Sequence, residues 1–275
     1  LPLISLSLLA VSLGFVLGPL LGAACLSLES KNSWEEDLPF LLLGAAAIGL
    51  SVLIWAYFKE TKTTLSRCSF AILRKGLGFR QYKEIFGAAH LRWLMLLFFL
   101  MQLSWATYFL FLPAFANQAL GFNHVQISIL SSAIGVGLCL ANGVVQPLLI
   151  RILPYKWIFF GGTLGTAVLF AMIFFVSGTL GQYTLAAGAG LMSSIAYASV
   201  ITLLSTRESK DRQGWLLGMA IAANSAGWGL AGILGGWLDG FAPSLPIIVA
   251  IGIMLVCGIL GVGVRSTCKI EGKPL

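Results

Sequence analysis

The sequence predicts an all-α membrane protein of eight transmembrane helices. Three observations carry that prediction. Apolar residues make up 58% of the 275 residues and charged residues only 10%, against about 25% charged in an ordinary soluble domain. Apolar stretches of bilayer-spanning length recur near 3–24, 38–58, 93–116, 125–149, 157–177, 183–204, 215–238 and 246–264. Each has about the 20 residues that a helix needs to cross hydrocarbon. Finally, all of the 17 Lys and Arg residues except Lys31 fall in alternate connections.

The charge pattern sets the expected topology. One set of connections holds Lys59 to Arg92, Arg151 and Lys156, Arg207 to Arg212, and Arg265 to Lys273. The other holds Lys31 beside Glu29, Glu35, Glu36 and Asp37. Basic residues translocate poorly and stay on the cytoplasmic side. Both termini are therefore expected in the cytoplasm, with a bacterial inner membrane as the setting.

The same placement removes other classes. A net charge of +7 confined to membrane edges is a topology signal, so no nucleic-acid partner is expected. Long apolar helices exclude an outer-membrane barrel, whose strands have about ten alternating residues. Cys25, Cys68, Cys139, Cys257 and Cys268 are scattered, and His90 and His124 lie far apart at helix edges. Neither a metal site nor a disulfide framework is indicated. No enzyme or nucleotide-binding motif is present, and no cofactor is expected.

The first helix carries Gly14, Gly18, Gly22 and Ala23, and the seventh carries Gly227, Ala231, Gly235 and Gly236 at matching places. The offset is 213 residues, or six helices, and both segments run in the same direction. Such a parallel repeat predicts two six-helix halves related by an axis along the membrane normal. On that register residues 1–58 are the last two helices of one half. Residues 59–92 are a basic cytoplasmic linker, expected as one or two short interfacial helices on anionic lipid. Residues 93–275 are a complete six-helix bundle with a short tail. The expected remaining partner is a set of four preceding helices, giving twelve in all.

Gly14, Gly18, Pro19 and Gly22 resemble the G-x-x-x-G-P-x-x-G-G motif of the fifth helix of major facilitator superfamily antiporters, chiefly the drug–proton branch that includes tetracycline exporters. Ala23 replaces the last glycine. Gln213, Gly214, Gly218, Gly227, Gly235 and Gly236 resemble the matching eleventh helix. Gln146 to Arg151 with Lys156 resembles the family's loop between helices eight and nine, with Ile150 where Asp is common. The resemblance implies that the eight spans are helices 5–12 of a twelve-helix major facilitator fold. It also implies alternating-access transport of a small-molecule substrate, with protons as coupling ion in the drug–proton branch. The coupling acids would then lie in the first four helices.

Small residues line one stripe on each of three helices. The seventh has Gly214, Gly218, Ala222, Ser225, Gly229, Gly232 and Gly236, spaced by three or four. The first has Ala10, Gly14, Gly18, Gly22 and Cys25, and the fourth Ser128, Ser132, Gly135, Cys139, Asn142 and Gln146. Lipid gives no hydrophobic drive for helices to associate, so close backbone approach does that work. Two readings stand: static packing, or packing that also serves as a sliding surface between rocking halves. Pro19 adds a break in the hydrogen-bond ladder of the first helix.

Intramembrane polar residues supply the candidate binding groups, because they are costly unless they face the bundle interior. Gln102 and Trp105 on the third helix, Ser193 and Tyr197 on the sixth, Asn224 on the seventh and Asn142 on the fourth are the chosen set. In the resembled family the third and sixth helices of this chain would line the central cavity. The alternative for each residue is an interhelical hydrogen bond or an interfacial aromatic. Proton-coupled efflux of a drug or metabolite is the leading expectation. An importer or facilitator of an amino acid or other metabolite is the rival of the same fold. A non-transporting sensor, scaffold or remnant is the rival of another class.

Overall fold

The computed structural model describes residues 2–27, 38–57, 89–207 and 212–263. Eight helices account for almost all of them. They are α1 (Pro2–Ser27), α2 (Leu38–Tyr57), α3 (Ala89–Leu120), α4 (His124–Ile152), α5 (Tyr155–Met172), α6 (Thr179–Ser205), α7 (Gln213–Asp239) and α8 (Leu245–Val262). The eight-helix, all-α prediction holds, with no strand among the described residues. The linker between α2 and α3, and the short helices expected in it, fall outside the described residues apart from its last four positions, which begin α3.

Helical backbone satisfies its own polar groups, which is what allows these segments to cross hydrocarbon. The ends need separate solutions. α3 stops at Gly121, whose φ of 69° suits a residue without Cβ. Phe122 N–H then bonds back to Ala116 O at 3.0 Å, which satisfies one of the last carbonyls of the helix. Asn123 starts α4 with a capping box shared with Gln126. The three-residue turn is thus fully specified by its own sequence.

The α5–α6 corner departs from the expected boundaries of 177 and 183. α5 ends at Met172 and α6 begins at Thr179, with Gly178 at φ 102° as its N-cap. Apolar character runs on through Ile173, Phe174, Phe175 and Val176, so hydropathy alone placed the end too late. The buried Gln182 amide closes the corner by donating to Ile173 O at 3.0 Å and Val176 O at 2.7 Å.

α3 is the centre of the bundle. Its inner face carries Leu94, Leu97, Phe98, Met101, Trp105, Tyr108 and Leu112, all buried. It packs on α6, α7 and α8; α5 packs on α6 and α8; α4 packs on α6. Polar side chains tie these contacts locally: Ser104 Oγ donates to Ala250 O on α8 at 2.6 Å. α1 docks on α4, outside that six-helix group. α2 has α1 as its main neighbour and exposes Phe40, Leu43, Ile48 and Trp55. The described basic residues Arg92, Arg151, Lys156, Arg207 and Arg212 stand at the start of α3, end of α4, start of α5, end of α6 and just before α7. In an up-and-down bundle these positions share one end.

Candidate functional site: an amide pair under an aromatic shelf

Gly227 is the residue that lets the site form. A Cβ built there would lie 3.3 Å from Leu103 N and 3.6 Å from Gln102 Cβ, so α7 lies directly on α3. One turn earlier on α7 is Asn224, and across from it is Gln102. The Gln102 Nε2–H donates to Asn224 Oδ1. Two residues that are 122 positions apart are thereby joined inside the membrane layer.

The pair retains capacity. Gln102 Oε1 and Asn224 Nδ2 make no hydrogen bond to a described residue, so one acceptor and one donor of the pair remain unused. Both groups are neutral. Asp239 is 15 residues further along α7, roughly 22 Å at the helical rise. Its Oδ1 is buried without a hydrogen-bond partner among the described residues.

Above the pair lies a shelf of rings. Trp105 follows Gln102 by three residues and Trp228 follows Asn224 by four, so both rise from the next turn. Phe109 lies between them, with ring centroids 6.2 Å from Trp105 and 5.8 Å from Trp228. Phe170 of α5 closes the far side, 6.2 Å from Trp105 and stacked on Tyr108 at 3.7 Å. Phe15 of α1 meets Phe109 edge-on at 5.6 Å. The shelf therefore runs from α5 through α3 to α7, and on to α1. Offset and edge contacts of this kind suit a planar or partly apolar molecule.

The remaining candidates distribute around this centre. Tyr197 on α6 packs on Phe98, one turn before Gln102, at 5.7 Å. Ser193 is buried on α6 without joining the amide pair. Asn142 lies elsewhere: its Nδ2–H donates to Ser12 Oγ of α1 and its Oδ1 accepts from Ser194 Oγ of α6, each at 3.0 Å. The structure thus brings together Gln102, Asn224 and Trp105, sets Tyr197 at their edge, and separates Asn142 from them.

The glycine motif divides into two groups. Gly227 and Gly235 press on α3, the latter against the Phe111 ring. Gly14, Gly18, Gly22, Gly232 and Gly236 meet no described neighbour within 4 Å of a built Cβ. Pro19, on the same motif, is half-buried. The contact between α1 and α4 is instead made by the α4 stripe. A Cβ at Gly135 would come within 2.6 Å of the Phe15 carbonyl carbon and Val16 N. Ser132 Oγ donates to Val16 O at 3.1 Å.

Sequence reasoning missed Ser12, Phe15, Phe109 and Phe170. Ser12 lies two residues from Gly14, about 200° round the helix and hence nearly opposite the stripe that drew attention. The three phenylalanines were lost among 18 in an apolar chain.

No curated protein sequence matches the chain. The family model described as Major Facilitator Superfamily matches twice, over the overlapping stretches 3–178 and 94–267. An all-helical bundle, helices apolar enough to cross a membrane, and matches reaching from residue 3 to residue 267 give one conclusion: this chain belongs to the Major Facilitator Superfamily of membrane transporters.

Proposed function

We propose that the protein exports a small, partly apolar molecule in exchange for protons across a bacterial inner membrane, by alternating access. The observation that carries the transport site is the Gln102–Asn224 amide pair beneath the Trp105, Phe109 and Trp228 rings. Hydrogen-bonding groups within an aromatic wall can hold such a molecule without charge, and they release it easily. Tyr197 and Ser193 extend the site along α6. The antiporter direction rests on the Gly14, Gly18, Pro19 and Gly22 motif of α1. The two halves, residues 1–58 and 93–275, rock along the α1–α4 contact, and the glycine faces of α1 and α7 that meet no described neighbour stay open to closer approach during that movement.

A second reading, an importer or facilitator of a neutral metabolite, is favoured by one feature. Among the described residues no acid lies beside the amide pair, and proton coupling requires a titratable group in the pathway. Inside-out vesicles from cells expressing the protein distinguish the two. Labelled tetracycline and other partly apolar compounds should accumulate when respiration energises the vesicles, and nigericin should abolish it by collapsing the pH gradient. Downhill equilibration that ignores nigericin would support the facilitator and refute proton exchange.

A further inference from the structure

We propose that Asn142 is a latch between the two halves, whose bond to Ser12 holds one access state and must open for the other. The proposal rests on the two-half, alternating-access reading above. Four observations support it. Asn142 is 5% exposed and Ser12 is 2% exposed, so the bond is dry. The Asn142 amide is used on both sides, with Ser194 inside the bundle and Ser12 on α1.

The third observation is in the backbone. α4 is α-helical to Leu140, then makes a π turn over Ala141–Val145, and resumes at Gln146, whose N–H reaches back five residues to Ala141 O. A π turn inserts one residue into the helix and re-aims the side chains on it, and such turns concentrate at functional positions. Here the re-aimed side chain is Asn142. The fourth observation is where the two partners sit: Ser194 lies with Asn142 in the six-helix group, and Ser12 lies on α1 outside it. On the bundle side, Gly137 lies against Ala187 O, and Gly190 of α6 lies against Ile134 O, so α4 is keyed into α6 by backbone on both. On the α1 side, Gly135 lies against the Phe15–Val16 backbone, with Ser132 and Asn142 bonding across.

When the halves rock, Ser194 therefore travels with Asn142 and Ser12 leaves it. Parting takes the Ser12 acceptor from the Asn142 N–H in a low-dielectric layer, so the joined state is favoured by the strength of one interhelical hydrogen bond. Such bonds in membranes bias an equilibrium by about threefold, with a maximum near 20-fold. That is a useful size, since it shifts the balance of states without locking the protein. Asn142 is accordingly a positioning residue that sets the populations of access states and does not touch substrate.

The test reads opening directly. Ser132→Cys is placed on a background lacking the native cysteines, in membranes, and its labelling by N-ethylmaleimide is timed. Position 132 is covered by α1, so the thiol reacts only when α1 and α4 separate. Asn142→Ala and Ser12→Ala should each raise the labelling rate about threefold, and the double variant should be no faster than either. Ser12→Thr keeps the hydroxyl and should label at the starting rate. Detergent size-exclusion profiles confirm that each variant is folded.

Equal rates in folded Asn142→Ala and Ser12→Ala proteins would overturn the latch, as would effects that multiply in the double variant. A thiol at position 132 that never labels in any folded variant, yet labels fully once denatured, would mean that α1 and α4 do not part. That result would overturn the rocking reading together with the latch. Opening that is seen but insensitive to Asn142 would overturn the latch alone.

Discussion

The α1–α4 contact and the outer face of α7 are both lined by small residues, yet they do different things. At α1–α4 the gap is closed: Gly135 receives the Phe15–Val16 backbone, and Ser132 and Asn142 bond across. On α7 the stripe of Gly214, Gly218, Gly229, Gly232 and Gly236 is open, and so are Gly14, Gly18 and Gly22 on α1. Spacing by three and four identifies a smooth helix face in each case. Whether a neighbour has filled that face depends on geometry that the spacing does not contain. Closed faces define this state, whether they are keyed by backbone as at α4–α6 or joined by separable hydrogen bonds as at α1–α4, and open ones leave room for movement.

This contrast can be broken most forcefully at the closed contacts. Gly137→Leu should cause the largest effect, because even its Cβ would collide with Ala187 O on α6. Backbone cannot yield as a flexible side chain does. The variant is expected to give little monodisperse protein in detergent, and a normal size-exclusion profile would show that α4 and α6 are less tightly keyed than described.

Trp105→Ala comes next. It removes the ring that lies against Tyr108, Phe109 and Phe170, leaving a cavity at the centre of the bundle. Large-to-small changes at such sites cost about 3 kcal/mol. Thermal denaturation in detergent should register that loss, along with loss of transport. Unchanged stability would mean that the shelf is loosely packed.

Gln102→Leu should be milder. It leaves the partly buried Asn224 without its partner, at a cost of about 1 kcal/mol, the low end of the range for an unsatisfied amide. The folded variant should bind substrate at least about tenfold more weakly in equilibrium titration. Binding at native strength would remove the amide pair from the transport site.

Much of the fold was legible because the bilayer imposes a simple rule. Length and hydropathy located all eight helices. Ends were read less well where apolar residues continued past the helix, as at Ile173 to Val176. Gln102, Asn224 and Trp105 were identifiable because polar and amphipathic groups are scarce in these spans. Their bond was not, since it depends on Gly227 bringing α7 against α3. Asn142 was recognised as unusual, but its partners Ser12 and Ser194 could be known only from three dimensions. The π turn that aims it has no reliable signature in the run Ala141, Asn142, Gly143, Val144, Val145.

Gly18→Leu tests the division between closed and open faces most directly, with thermal stability and vesicle transport measured on the same preparation. Because Gly18 has no described neighbour within 4 Å, the melting temperature should stay within a few degrees of the starting protein while transport is lost. A variant that transports normally would contradict the role given to the open face, and one that unfolds would show that the face is part of the static packing.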